Sequence, residues 1–268
     1  MVSRSRMLCL SETYGCYRHP QLSSHLLKNV SRTLNLEDAI AVSSLIDHTL
    51  LKPDATESQI AQLCSEAIEW EFASVCVNPC WVSVCAQALA GSPVHVCTVI
   101  GFPLGANTSA IKLAEAEVAL LQGALELDVV QNIGALLSGL RDVVQKEIAD
   151  LAVLAHNRDA ILKVILETAL LSDDEKIAAS LLAVESGTDF VKTSTGFASS
   201  GATIADVKLL RRTVGPSIGV KASGGVRTLE TVRDMVTAGA TRIGTSSGVA
   251  ILRELRDAVP EPQLKAGY

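Results

Sequence analysis

Aromatic residues are scarce in this chain, at 3% of its 268 positions. So few rings cannot line a surface on which bases stack, and the apolar content must come from aliphatic side chains. Positive charge is not in excess either: 29 acids face 23 lysines and arginines, giving a net charge of −6 and a pI near 5.4. A general nucleic-acid or membrane-surface binder needs a basic face, so neither partner is expected. A small anion is still admissible, because a few backbone N–H groups and one or two cations hold a phosphate on an acidic protein. No apolar run reaches the roughly 18 residues that a membrane span needs. The seven cysteines (Cys9, Cys16, Cys64, Cys76, Cys80, Cys85 and Cys97) are odd in number and include no CxxC pair. Several sit in apolar runs, so they read as buried reduced thiols of a cytoplasmic protein in preference to disulfides or metal ligands. Cys76, Cys80 and Cys85 have no histidine at ligand spacing, and no metal site is expected.

What the chain has in quantity is aliphatic side chain: 48% of it is apolar. From about residue 42 short apolar runs alternate with longer amphipathic stretches. The runs cover 44–47, 73–77, 95–100, 126–130, 162–167, 189–192, 217–221 and 242–245. They are near-continuous in Val, Ile, Leu and Cys, as strands buried on both faces are. The stretches between them have helical spacing: Ile111, Ala114, Val118 and Leu121 share one face, as do Ile204, Val207 and Leu210, and Leu229, Val232 and Val236. Thr56 with Gln59 and Ser172 with Glu175 have capping-box spacing, Thr228 suits an N-cap, and Gly239 suits a helix stop. No GxGxxG follows the first run, which argues against an open dinucleotide-binding sheet. Eight strand–helix units without an internal linker predict one α/β domain, a TIM (β/α)8 barrel, over 42–268.

Residues 1–41 precede that pattern. Their first 35 positions carry Arg4, Arg6, Arg18, Lys28 and Arg32 against the single acid Glu12. A flexible N-terminal extension, an organelle transit peptide and an over-extended start all fit this composition.

In a barrel of this kind the active site forms at the carboxyl ends of the strands. Those ends present Asp47 and His48, Asn78, the segment from Gly101, Asp128, Glu167, Lys192, Lys221, and the turn from Gly244 to Gly248. Lys192 and Lys221 stand on neighbouring strands, roughly 4.8 Å apart. Two ammonium groups that close, partly stripped of water, disfavour double protonation, and a free amine can attack a carbonyl. Simple ion pairing with strand-end carboxylates is the competing account of each lysine. Asp128 lies inside a buried apolar run and needs a partner there; it is either one half of an ion pair or a carrier of protons. Gly224-Gly225 and Ser246-Ser247 precede helix starts at the usual phosphate position of such barrels.

Several runs together now carry a resemblance. They are Ile46-Asp47-His48-Thr49-Leu50-Leu51-Lys52-Pro53, Ser74-Val75-Cys76-Val77-Asn78-Pro79, Val99-Ile100-Gly101-Phe102-Pro103-Leu104-Gly105, Leu127-Asp128-Val129-Val130, Lys163-Val164-Ile165-Leu166-Glu167-Thr168, Phe190-Val191-Lys192-Thr193-Ser194-Thr195-Gly196-Phe197 and Val220-Lys221-Ala222-Ser223-Gly224-Gly225-Val226-Arg227. In this order, from about residue 42 to the end, the chain resembles the deoxyribose-phosphate aldolase family of class I aldolases.

The resemblance implies a barrel that reversibly cleaves 2-deoxy-D-ribose 5-phosphate to D-glyceraldehyde 3-phosphate and acetaldehyde, in deoxyribose phosphate breakdown, with no metal or organic cofactor. It implies Lys192 as the Schiff-base lysine, Lys221 as its neighbour in proton transfer, and Asp128 as the acid/base partner. Gly196, Gly224, Gly225, Ser246 and Ser247 would cradle the phosphate. Thr195 would lie near a substrate hydroxyl. Asp47 and Cys76 complete the expected substrate contacts, and Tyr268 would assist proton movement from a mobile tail. Expected partners are phosphosugar and aldehyde substrates, with a homodimer as one open assembly. Phe197 stands where some family members carry lysine, which implies altered substrate contacts. Two rivals stay in view: another phosphate-binding barrel, such as an isomerase or a metal-dependent aldolase, and a catalytically dead barrel that senses sugar phosphates.

Overall fold

A computed structural model describes residues 39–258. The residues before 39, and the tail with Tyr268, lie outside the described residues. Helix α1 (Ala39–Ser43) begins inside the segment expected to be an extension.

Eight parallel strands follow, each hydrogen-bonded to the next, and the last pairs with the first to close a barrel. They are β1 (Ile46–Leu50), β2 (Ser74–Val77), β3 (His95–Ile100), β4 (Glu126–Val130), β5 (Ile161–Ile165), β6 (Phe190–Lys192), β7 (Gly219–Ser223) and β8 (Arg242–Thr245). The strands are buried along nearly their whole length, because one face fills the barrel interior and the other lies under helices. That accounts for their unbroken apolar runs. The helices are α2 (Glu57–Glu69), α3 (Val82–Ala88), α4 (Ser109–Leu121), α5 (Ile133–Leu137), α6 (Arg141–His156), α7 (Asp173–Glu185), α8 (Ile204–Val214), α9 (Leu229–Ala238) and α10 (Gly248–Ala258). Among the described residues no helix is long and apolar enough to cross a membrane.

The anticipated caps are in place. Ser172 and Glu175 form a reciprocal box at the start of α7, with Ser172 N donating to Glu175 Oε2 at 2.7 Å and Glu175 N to Ser172 Oγ at 3.4 Å. Thr56 N donates to Gln59 Oε1 at 2.9 Å, Thr228 Oγ1 caps α9 through Thr231 N at 3.2 Å, and Gly239 ends α9 in the left-handed region. On α8, Val207 and Leu210 are fully buried. Each such side chain contributes about 1.5–3 kcal/mol through lost apolar exposure.

Helix α4 departs from expectation. Ile111, Ala114, Val118 and Leu121, the stripe chosen from the spacing, faces solvent, and its three large members are 52–64% exposed. The buried face consists of Lys112, Ala116, Ala119 and Leu120. Both stripes have helical period, and period alone cannot rank them. Alanines let the helix lie close to the sheet, and the lysine beside them is satisfied. Lys112 Nζ donates to Glu147 Oε1 at 2.6 Å and to Val130 O at 2.8 Å, and Ser109 Oγ donates to Glu147 Oε2 at 2.8 Å.

Strand limits also shift, with consequences for the site. β1 begins at Ile46 and runs on to Leu50, so Asp47 lies near its start and not at its carboxyl end. β7 continues to Ser223, which puts Lys221 at mid-strand. β5 stops at Ile165, leaving Glu167 just beyond it.

Candidate active site

Charged residues punctuate the strands on the side that faces the barrel axis. Asp128 is the middle residue of β4, Lys163 that of β5, and Lys221 that of β7; Lys192 closes β6. Closure of the sheet directs these side chains to a common centre. Lys192 and Lys221 are register partners across β6 and β7. Their ammonium groups converge on a single carboxylate oxygen, Asp128 Oδ2, at 2.8 Å and 2.6 Å. The other oxygen, Oδ1, accepts from Lys163 Nζ at 2.8 Å and lies 3.2 Å from Cys97 Sγ. Gly244 makes room for this arrangement, since a Cβ there would stand 3.0 Å from Lys221 Cε and 2.9 Å from Ser223 Cβ.

A second tier of charge continues the cluster. Lys221 Nζ is 2.5 Å from Asp47 Oδ2, and Arg242 Nη1 is 2.6 Å from Asp47 Oδ1 and 3.1 Å from Glu126 Oε2. Lys163 Nζ is 2.5 Å from Glu126 Oε2. Four cationic groups (Lys163, Lys192, Lys221, Arg242) thus meet three carboxylates (Asp47, Glu126, Asp128), leaving one positive charge in excess when all are ionised.

Burial opposes the charge on Asp128, but Lys163, Lys192 and Lys221 outweigh it and hold the carboxyl well below the usual range. Asp47 is held low in the same way, against burial, by Arg242, Lys221 and Lys163. Glu126 is pulled down to about 2, against burial, by Lys163 and Arg242. Burial also opposes the ammonium of Lys221, yet Asp128 and Asp47 push its pKa above the ordinary lysine value. Lys163 is raised likewise, with Asp128 the strongest counterweight to burial.

Asp47 and Cys76 were both expected to touch substrate, and both are fully buried. The Asp47 carboxylate is occupied by Lys221, Arg242 and Ser74, whose Oγ donates to Oδ1 at 2.8 Å. As the second residue of β1, Asp47 lies among these partners in the barrel interior. Cys76 faces Cys97 across β2 and β3. A hydrogen bond from Cys97 pulls its thiol below the ordinary value, while burial pushes Cys97 well up.

Two donor sets of metal-ligand type occur among the described residues: Cys76, Cys97 and Asp128, and Asp47, Cys97 and Glu126, each with its atoms within 4.8 Å of one another. The carboxylates of both sets are already paired with lysine or arginine. A divalent cation there would meet ammonium and guanidinium groups at close range.

The expected phosphate loops stand at the same end. Gly224 has φ +86°, and a Cβ on it would meet Gly201 Cα at 2.8 Å. Only glycine lets the turn after β7 lie backbone to backbone on the loop after β6, where Ala202 N donates to Ser223 O and Gly224 O, both at 3.0 Å. Gly196 lies against Gly224, and Gly225 beside it is exposed. Ser246 and Ser247 follow the paired ends Ser223 and Gly244 and precede the N-terminus of α10, with Ser246 exposed. Phe197 packs edge-on against Phe102 at 5.3 Å between ring centroids.

Lys163, Glu126 and Arg242 are the members that sequence reasoning left without a role. Each was marked by the signal that singled out Asp128, an ionised group inside a buried apolar run.

The barrel has relatives among known aldolases. The DeoC/LacD family aldolase description matches residues 41–255. A deoxyribose-phosphate aldolase from Brevibacillus brevis (strain 47) is 59% identical over 211 residues, 79% of this chain and 95% of that protein. One from Listeria monocytogenes serotype 4b (strain F2365) is 54% identical over 222 residues, 83% of this chain and 99% of that protein. Among solved structures, a tetrameric deoxyribose phosphate aldolase from Aeropyrum pernix aligns with a TM-score of 0.78 at 37% identity, covering 83% of this chain and 94% of that one. The matched span contains the whole closed barrel with its lysine–carboxylate centre, and the chain belongs to the DeoC/LacD family of aldolases.

Proposed function

We propose that the barrel cleaves and forms a carbon–carbon bond through a Schiff base on Lys192, with 2-deoxy-D-ribose 5-phosphate as substrate and D-glyceraldehyde 3-phosphate and acetaldehyde as products. The observation that carries this reading is the convergence of Lys192 and Lys221 on Asp128 Oδ2, within a cluster holding one more cation than anion. Such a cluster reaches neutrality when one amine gives up a proton. Arg242 cannot do so, and Lys163 and Lys221 each hold two or more carboxylates. Lys192 has the single partner Asp128, and its side chain is 3% exposed where those of Lys163 and Lys221 are 0%.

The unprotonated Lys192 attacks the aldehyde carbon of the open-chain sugar, and loss of water leaves an iminium. When the C3 hydroxyl gives up its proton, the C2–C3 bond breaks. Glyceraldehyde 3-phosphate leaves, and the electron pair passes into the iminium as an enamine. Protonation at C2 and hydrolysis return acetaldehyde and the amine. Asp128 and Lys221, joined by a 2.6 Å hydrogen bond, are the pair assigned to move these protons. Gly196, Gly224, Gly225, Ser246 and Ser247 are assigned to the phosphate, with backbone N–H groups and the α10 N-terminus as donors. This chemistry requires no metal or organic cofactor.

The free thiols Cys64, Cys76, Cys80, Cys85 and Cys97 support a reducing compartment, the cytoplasm. The exposed stripe Ile111, Val118 and Leu121 supports self-association, with a homodimer as the smallest assembly.

Acetaldehyde with borohydride tests the reading: inactivation with one ethyl group on Lys192, found by mass spectrometry, is expected. Loss of activity to a chelator without such an adduct identifies a metal-dependent aldolase instead. Binding of the sugar phosphate without turnover identifies a sensor.

A further inference from the structure

Glu167 is a strand-end acid to which the chemistry above assigns nothing. It lies just past β5, 3% exposed, with φ 56° and ψ 65°. That left-handed conformation is unfavourable for a side chain of its size, and surrounding structure must impose it. Neighbouring hydrogen bonds do so: Leu166 N donates to Lys192 O at 2.9 Å, Thr168 N to Thr193 O at 2.9 Å, and Gln131 Nε2 to Leu166 O at 3.0 Å. The backbone on both sides of Glu167 is thereby tied to the segment that carries Lys192.

The strained turn delivers one carboxylate oxygen to Thr195. Glu167 Oε2 accepts from Thr195 N at 3.2 Å and also accepts a short hydrogen bond from Thr195 Oγ1. Thr195 Oγ1 in turn accepts from Phe197 N at 3.1 Å. A threonine hydroxyl has one hydrogen to donate and two lone pairs. Here the hydrogen goes to Glu167 and one lone pair to Phe197. What Thr195 has left to offer is a single acceptor site. A phosphate dianion, which carries acceptors only, finds nothing to bind there; a sugar hydroxyl, which can donate, does.

We propose that Glu167 is a positioning residue that fixes the polarity of Thr195, so that the Thr195 hydroxyl recognises a hydroxyl donor of the sugar and leaves the phosphate to the glycine and serine turns. The proposal rests on the aldolase reading and extends it to substrate selection. Acetaldehyde has no hydroxyl, so its condensation with Lys192 does not use this contact.

Glu167→Gly separates the roles, because glycine relaxes the left-handed backbone while it removes the carboxylate. The expected result is borohydride trapping of acetaldehyde on Lys192 at the wild-type rate, an unchanged melting temperature, and a KM for 2-deoxy-D-ribose 5-phosphate raised about tenfold, one hydrogen bond's worth. Glu167→Gln keeps an acceptor oxygen and is expected to restore KM to within about threefold, less than one net hydrogen bond. Unchanged KM in Glu167→Gly overturns the proposal, as does a joint loss of trapping and melting temperature, which marks a purely structural residue. Failure of Glu167→Gln to restore KM overturns the acceptor assignment. A wild-type protein that forms no adduct overturns the aldolase reading itself, a result distinct from all of these.

Discussion

Among the described residues, the buried Lys112–Glu147 pair and the ion cluster inside the barrel are built differently. Between α4 and α6, Lys112 and Glu147 form a one-to-one pair, at most 1% exposed, with Ser109 and the Val130 carbonyl taking up the remaining hydrogen bonds. Inside the barrel, Lys163, Lys192, Lys221 and Arg242 share Asp47, Glu126 and Asp128. The outer pair is balanced, one cation to one anion. The inner cluster has one cation more than it has carboxylates. Burial alone therefore does not mark a reactive group. On the proposed function, an unequal count of cations and carboxylates does.

The strongest test of this contrast is Lys192→Ala. It removes the proposed nucleophile and leaves three cations facing three carboxylates. Turnover is expected to fall by about 10⁴-fold or more, as when a covalent nucleophile is deleted, while the melting temperature holds. A melting temperature that falls with the activity would make the two regions alike and end the comparison. Lys112→Met is the converse. It strands Glu147 in the core, at a cost of about 3–5 kcal/mol in urea unfolding, with kcat and KM kept. Adding Glu147→Leu should return most of that stability, because the stranded charge is then gone.

Acid sharpens the contrast further. The folded-state pKa values of Asp47, Glu126 and Asp128 are depressed, so their contribution to stability is present above the unfolded carboxylate values near ~4 and is lost as pH falls through the folded values, Glu126's being about 2. In that window the unfolded chain binds more protons, and stability rises with pH. Lys221 is raised, so its contribution is complete below about 10.4 and is lost as pH climbs beyond it. Urea midpoints measured across pH should show losses at both ends, with a separate, smaller rise through the region of about 6.5 from His48, whose imidazole burial pushes down. A midpoint that does not fall further below about pH 4 contradicts the carboxylate assignment. The smallest effect belongs to the exposed face of α4: Val118→Ser with Leu121→Ser should lower the sedimenting mass to that of a monomer, with kcat/KM held to within about twofold, as for surface changes.

Much of the fold was legible because its signals are local. A strand covered on both faces needs an unbroken aliphatic run, and eight such runs appear in order. Caps such as Ser172 with Glu175 span three residues and are readable without tertiary structure. The two central lysines were legible as well, since they are register partners on consecutive strands. The α4 face was not, because two stripes share one period and only the packed neighbours choose between them. Asp47 was misplaced because its run extends further than its apolar residues suggested: the polar His48 and Thr49 belong to β1.

The amino-acid sequence by itself determined the number of strand–helix units and the presence of ionised groups inside buried runs, since both follow from side-chain period and solvation. Which of those groups meet was decided only by barrel closure. Asp47 and Arg242 are 195 residues apart along the chain and touch because β8 pairs with β1. No local rule joins them; once the sheet closes, every inward side chain has the same small interior to share, and charges buried there must settle on one another.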